Sequence, residues 1–414
     1  MFLKTNQVRK YAFNSIEFRR DPHQMWSRLL ADGPVIRSRI TLMGKVWLAT
    51  SWDAANDVLR NQDQFARDGR RAGKKSVAGM PFWMPKMVRK LACNMLTYDG
   101  KEHRRLRKLV DQAFLKSNVE ATRPRLEFLA DKILDDLEKD YQSSGHSVDL
   151  VTGFAKKLPL AIICEILGLP DEDRPKFSKW FRGFADVRSA FSILGMFPAL
   201  SRLIRYMEFQ FEELKKNPRE GLLSELASIE VEGDQLTREE FSSMGLLLLA
   251  AGHETTVHLI SNAVRCLLNH PKQKHQLLDD WGLASSAIDE VLRYASPVQF
   301  TKPRIVVNDN EFYGQALKRG ELVLPVLGSA NHDPNKFETP NQFDIARTPN
   351  PHLTFGSGIH ICLGLKLAKA ETEVALQRLF TRFPNLSLAI DDAEIDWAKR
   401  LGMQAMRSLP IQLG

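Results

Sequence analysis

The chain has 414 residues, 43% hydrophobic and 26% charged, which excludes a disordered or fibrous protein and leaves room for a large core and a bulky cofactor. Its net charge of +8 favours acidic partners. The basic residues are scattered, however. The densest cluster, 67–75, has no nucleic-acid-binding motif around it and reads as a solvated loop.

The N-terminus carries Lys4, Arg9 and Lys10 without an apolar stretch, so no signal peptide is expected. The longest apolar run, 245–252, is too short to span a bilayer. The expectation is a cytoplasmic protein with no membrane anchor and no nucleic-acid partner. Cys93, Cys164, Cys266 and Cys362 are too few for a disulfide framework. The first three sit among apolar neighbours and read as core residues.

No internal repeat or linker divides the chain, so 1–414 reads as one domain. Residues 35–40 and 45–50 form a predicted hairpin turning near Met43-Gly44. Leu126, Leu129, Ile133, Leu134 and Leu137 mark one face of a helix. Residues 148–169 read as a second buried helix, closed by Gly168 and Pro170. Thr237-Arg-Glu-Glu240 is a capping box, and no proline follows until Pro271. A helix of about 50 Å is expected there, buried at its apolar centre, 245–251. Then come a helix over 284–294, mixed strands over 298–327 and coil over 331–351. A last long helix runs from just after Cys362 to about Phe380. The expected fold is mainly α with small β-sheets.

The chemistry concentrates in Phe355-Gly-Ser-Gly-Ile-His-Ile-Cys-Leu-Gly364. Cys362 lies at the start of the last helix, where free N–H groups and the helix dipole favour a thiolate. A thiolate donates strongly to haem iron and promotes O–O cleavage. Gly356, Gly358 and Gly364 allow tight turns and close approach to a flat ligand. Two readings compete: a buried cysteine on a glycine loop, and a zinc site shared with His360 and His352. Zinc wants four ligands in paired spacings, and no second cysteine is near.

This loop resembles the haem-binding loop of the cytochrome P-450 superfamily, F-G-x-G-x-H-x-C-x-G, at every fixed position. The following Leu367-Ala-Lys-Ala-Glu371 is similar to the family's L-A-R-x-E, with Lys369 replacing Arg. The resemblance extends along nearly the whole chain. It implies a single haem domain of that fold, a long central helix over haem b, and Cys362 as the metal ligand. Phe355, Gly356, His360 and Gly364 would contact the cofactor.

Three further constellations follow the same family order. Ala251-Gly-His-Glu-Thr-Thr256 places a carboxylate and a hydroxyl in the long helix, with Gly252 letting a ligand lie against the backbone. The resemblance implies that dioxygen binds beside Ala251, that Thr255 hydrogen-bonds it, and that Glu254 helps deliver protons. A kinked helix with Thr255 bonded back to a carbonyl is the alternative. Glu290 and Arg293 face each other at i, i+3; in the family this pair is structural. Gln342 precedes Phe343 where the family often has Arg, so the third leg of that network is expected to be weaker or rebuilt. His103 and Arg107, at i, i+4, could grip one anion together. The resemblance implies that they hold the haem propionates with His360 and Arg304.

The implied reaction inserts one atom of dioxygen into a C–H or C=C bond of a lipophilic substrate, the other going to water. A separate ferredoxin and ferredoxin reductase would supply electrons, with Arg104, Arg105, Lys108 and Lys366 as candidate docking cations. The implied pocket lining comprises the stretches 78–96 and 181–207 together with Ala250, Val298 and Met403, and Phe82, Trp83, Met84, Phe191 and Phe197 make it apolar. Each aromatic alone reads equally well as core. A hydrogen-peroxide-driven peroxygenase and a non-enzymatic haem sensor or carrier are the rival readings. Glu254 and Thr255 argue against both.

Overall fold

Apolar alternation and a glycine turn produce the hairpin near the N-terminus. Strands β1 (Val35–Ile40) and β2 (Gly44–Ala49) pair antiparallel from Val35↔Ala49 to Ile40↔Gly44. Gly44 adopts φ +77°, a left-handed conformation that glycine takes without steric cost. The computed structural model describes residues 8–40, 43–75, 94–116, 123–173, 176–177 and 190–414. Helix α1 (Trp52–Arg60), N-capped by Ser51, and strand β3 (Phe65–Ala66) follow the hairpin.

The helical body is built from α2 (Gly100–Lys116), α3 (Arg123–Ser144), α4 (Lys157–Ile166), α5 (Ala190–Lys216), α6 (Arg238–Asn269), α7 (Ala284–Tyr294) and α8 (Leu365–Arg382). Between α7 and α8 lie β4 (Arg304–Val306) and β5 (Leu322–Pro325). They complete a five-stranded sheet in the order β1-β2-β5-β4-β3, with β2 and β5 parallel. The mainly α fold with small sheets is as the sequence predicts.

The capping box forms as read: Thr237 Oγ1 accepts from the Glu240 N–H at 3.2 Å, and Glu240 Oε2 from the Thr237 N–H at 2.9 Å. Helix α6 then runs for 32 residues, about 48 Å. It packs against α4, α5 and α8. Its centre departs from the expected burial. Leu248 and Leu249 are buried, as are Thr256 to Ile260, but Ala250 and Ala251 are exposed. A helix this central exposes two alanines only where it borders internal space.

The segment 148–169 is not one helix. Val148–Asp149 is a short strand paired with Pro410–Gln412, Val151–Ala155 is a π-helical turn, and only then does α4 begin. Two contacts explain the break. Asp149 draws the N–H groups of Val151, Thr152 and Leu409 onto its carboxylate, competing with helical bonding. At Gly153 a Cβ would stand 2.5 Å from Leu137 Cδ1, so α3 approaches closer than any side chain permits.

The largest core cluster joins Phe154, Phe241, Leu259, Phe380 and Trp397 and includes Cys164 and Cys266, as expected for those cysteines. Cys93 lies outside the described residues. A second cluster, with Trp47, Phe65 and Val306, backs the sheet. Among the described residues no helix is long and apolar enough to cross a membrane.

Candidate active site

The cysteine loop is shaped by its backbone. Gly356 and Gly358 adopt φ +75° and +71°, and the Cys362 N–H donates to the Phe355 carbonyl at 2.9 Å. At Gly358 a Cβ would meet the Leu59 carbonyl at 2.8 Å, so α1 presses on the loop. At Gly364 a Cβ would meet nothing within 4 Å; that side of the loop is open. Phe355 and Cys362 are half-buried.

Cys362 lies just before α8. Burial pushes its thiol up, against the opposing pull of the Gly364 N–H and the Arg107 charge. Deprotonation calls for a stronger positive partner such as a metal ion. No cluster of metal-ligating side chains occurs among the described residues. His352 turns to Asp289 instead, at 3.3 Å.

Beside the loop lies a concentration of buried cationic groups. Among the described residues, the buried nitrogens Nε and Nη1 of Arg67, Nε and Nη2 of Arg304, and Nδ1 of His103 have no hydrogen-bond partner. Burial lowers Arg67 to about 10, Arg304 to about 9, and His103 to about 4. His360 is also held down, to about 4, chiefly by burial. As a neutral imidazole it donates to Asp99 Oδ1 at 3.0 Å, and its ring meets that of His103 edge-on at 4.5 Å. Asp99 Oδ2 also accepts the N–H groups of Arg67 and Asp68 at 2.6 and 2.7 Å.

Two sequence expectations change here. Arg67 is not part of a solvated loop; its guanidinium points inward. His103 and Arg107 do not close together on a common anion, because Arg107 bonds Asp111 at 2.9 Å and the Ile361 carbonyl at 2.9 Å. Arg304 is 1% exposed on β4 and stands where an anion would complete it. Asp99 went unnoticed in the sequence.

In α6, Thr255 Oγ1 donates to the Ala251 carbonyl at 2.6 Å, the alternative considered above. Its lone pairs stay available as acceptors, so this bond aims the hydroxyl without consuming it. Glu254 is less enclosed than its helix implied. Its side chain is 40% exposed and ion-paired with Arg400. Gly252 faces Ile163 of α4, which a Cβ would meet at 3.2 Å, so it serves helix packing and not a ligand. Val298 and Met403, both half-buried, are bridged through their backbones. Phe82, Trp83 and Met84 lie outside the described residues, and the side chains of Phe191 and Phe197 are not described.

Glu290 and Arg293 are wholly buried and paired through bonds of 2.8 and 2.7 Å. The third leg is rebuilt. Arg347 reaches Glu290 Oε2 at 3.2 Å, joined by Asn350 Nδ2 at 3.0 Å and the Asp344 N–H at 2.9 Å. Of the candidate docking cations, Arg105 pairs with Asp234 and Glu240, and Lys108 with Glu232.

The residues fit haem. Unmatched buried cations suit its two carboxylates, Gly364 leaves the loop open to a flat ring, and Ala250 and Ala251 of α6 are exposed. Fold and site together define a helical haem-thiolate enzyme. Residues 41–412 match the family profile "Cytochrome P450". The chain is 33% identical over 400 residues to the polyketide biosynthesis cytochrome P-450 PksS of Bacillus subtilis, spanning 96% of this chain and 97% of that one. It is 34% identical to the cytochrome P-450 monooxygenase PikC of Streptomyces venezuelae, over 96% of this chain and 92% of that one. The solved PksS structure superposes with a TM-score of 0.89 at 32% identity, covering 98% of this chain and 100% of that one. The chain belongs to the cytochrome P-450 family. It is a haem-thiolate monooxygenase that inserts one atom of dioxygen into a lipophilic substrate and sends the other to water.

Proposed function

We propose that this enzyme holds haem b through Cys362 as iron ligand, with Arg67, Arg304 and His103 binding the propionates and Asp99 orienting His360. The unpaired buried nitrogens of Arg67 and Arg304 carry this reading. A buried cation without a partner is costly, and a carboxylate supplied by a ligand removes that cost. Arg107 acts through the loop, tying the Ile361 carbonyl beside Cys362. Phe355, Gly356 and Gly364 shape the surface against the ring. When bound, the haem supplies electron transfer and oxygen activation.

On the opposite side, Ala251 leaves room beside α6 and Thr255 directs a hydroxyl into it. Glu254 carries protons from water to that hydroxyl. Glu290 and Arg293, with Arg347, hold the segment that precedes the cysteine loop. All of 1–414 acts as one haem domain in this reading, in the cytoplasm, with electrons from a separate ferredoxin and ferredoxin reductase. Of the basic face expected to dock the ferredoxin, Arg105 and Lys108 are also ion-paired within the chain.

Ala250, Val298 and Met403 line the substrate space; the family resemblance assigns Phe82, Trp83 and Met84 to the same lining. A large lipophilic substrate of polyketide or acyl-chain type follows from two relatives. PksS is named for polyketide biosynthesis. The structure of P-450 BioI, 32% identical with a TM-score of 0.84 over 96% of this chain and 99% of that one, holds a hexadec-9Z-enoic acid-ligated acyl carrier protein. The test is a panel of macrolactones, fatty acids and sterols, screened by the haem spectral shift. Hits are then turned over with ferredoxin, its reductase and isotopically labelled dioxygen. One labelled oxygen atom in the product is expected. Product formed from hydrogen peroxide alone, at the same rate, would favour the peroxygenase reading instead.

A further inference from the structure

Glu254 has two partners within reach, and neither was legible in the sequence. The first is Arg400, to which it is ion-paired. Arg400 sits on a turn near the C-terminus that is hydrogen-bonded back to the 297–299 segment. There the Gln299 N–H donates to the Gly402 carbonyl at 2.8 Å, and the Gln404 N–H to the Pro297 carbonyl at 3.1 Å. The same turn carries Met403. The counter-ion is therefore held by backbone, not by a loose side-chain arrangement.

The second is His258, one helical turn beyond Glu254. It is 6% exposed, and neither ring nitrogen has a hydrogen-bond partner. Its Nε2 lies 3.9 Å from Glu254 Oε1, beyond hydrogen-bonding distance but within reach of a rotamer change. A buried imidazole with two unsatisfied nitrogens is uncommon and calls for an occupant. The charged and titratable groups around it are Glu254 and His253 on its own helix and Lys156 from the turn before α4. His253 itself faces the Lys156 carbonyl at 3.2 Å. Burial, then Lys156, holds His258 to about 4, so it is neutral at physiological pH.

We propose that Glu254 is a two-position proton carrier, with Arg400 anchoring the carboxylate and His258 receiving the protonated carboxyl. Both partners are positioning residues. The inference rests on the reading of Glu254 as the proton donor to the oxygen site. The exposed carboxylate takes a proton from water and becomes neutral, and its attraction to Arg400 falls away. The new O–H then donates to the free nitrogen of neutral His258, which gains no charge. Rotation back hands that same proton toward Thr255, and the carboxylate returns to Arg400. The proton comes from solvent and leaves on the oxygen side, with no charge left on the protein.

The test uses haem-loaded enzyme with carbon-13-labelled histidine, studied by NMR in the diamagnetic, carbon-monoxide-bound ferrous form. The position of the carbon-monoxide band certifies that each variant is folded around its thiolate. His258, assigned through His258→Asn, is expected to show a chemical-shift step as Glu254 titrates, without itself becoming charged. The step disappears in Glu254→Gln. In Arg400→Gln it moves up by about one pH unit, a tenfold change in proton affinity, because a neighbouring cation is lost. Arg400→Lys keeps it near the wild-type position. A His258 resonance that ignores Glu254, or a step unmoved in Arg400→Gln, overturns the proposal. A step that behaves as expected while Glu254→Gln turns over at the wild-type rate overturns instead the role of Glu254 as donor, and the delivery route with it.

Discussion

Replacing Arg304 should affect the haem-free and haem-loaded proteins in opposite directions. Its guanidinium is 1% exposed with two unpartnered nitrogens. Burial first, then the charge of Arg67, lowers it from the ordinary guanidinium range to about 9. At ~1.4 kcal/mol for each tenfold change in proton affinity, that drop corresponds to roughly 5 kcal/mol against the folded, haem-free protein. A cation whose folded value is depressed destabilises the fold wherever both states are charged. The penalty is therefore complete below about 9 and fades above it. Two carboxylates reverse the balance, since charge-assisted bonds contribute ~1.5–3 kcal/mol each. Arg304→Gln is thus expected to leave the haem-free protein as stable as wild type or more so. The loaded enzyme loses about 2–4 kcal/mol, a roughly 30- to 1000-fold loss in haem affinity. Melting curves of both forms, with the rate of haem transfer to an excess of apomyoglobin, measure the two effects. An equal fall in stability of both forms would refute the argument, for Arg304 would then be packing and not an anion site.

Three further outcomes follow from the same geometry. Cys362→His is expected to retain some haem but lose the red-shifted carbon-monoxide band that thiolate ligation gives, and an unchanged band would exclude Cys362 as ligand. Thr255→Ala removes a hydroxyl bonded only within its own helix turn. The fold should survive while reductant is diverted to hydrogen peroxide, so the product-to-reductant ratio falls several-fold; an unchanged ratio would remove the role of Thr255. Arg293→Ala removes the main partner of a buried carboxylate and is expected to cost about 4 kcal/mol. Arg347→Ala leaves Glu290 its main partner and costs about 2 kcal/mol. In a chain of this length these correspond to thermal midpoints lowered by about 5 and 2 °C, and equal shifts would mean that Arg347 is as central as Arg293.

What could be read from the sequence was local. The capping box at Thr237, the hairpin and the glycine turns at Gly356 and Gly358 each depend on residues a few positions apart, and each forms as read. The helix expected over 148–169 failed because two of its determinants are not local. Asp149 caps backbone groups at both Val151 and Leu409, and Gly153 is fixed by Leu137 on another helix. Gly252 failed similarly, since its partner Ile163 is remote in sequence. The substitution at Gln342 did signal that the buried ion pair was rebuilt, but not that Arg347 would supply the third leg.

Arg67 shows why the charged half of the site stayed hidden. An arginine that binds a ligand and one that faces water look alike in sequence, because both lack a counter-ion in the chain. Within 67–75, Arg70 folds onto Asp68 and Arg71 onto the Gln62 carbonyl, ordinary surface arrangements. Arg67 turns toward Asp99 and Arg304, contributed by two other segments. Complementarity there is to a molecule outside the polypeptide. Side-chain pairing, the usual guide to where charges sit, is therefore silent at the positions that hold the cofactor. Glu254 is the converse case. Its motif marked it as functional, yet what governs its charge lies far away at Arg400, on a turn that no motif marks. The reaction class is written in contiguous residues, whereas the control of charge is written in contacts that only the fold creates.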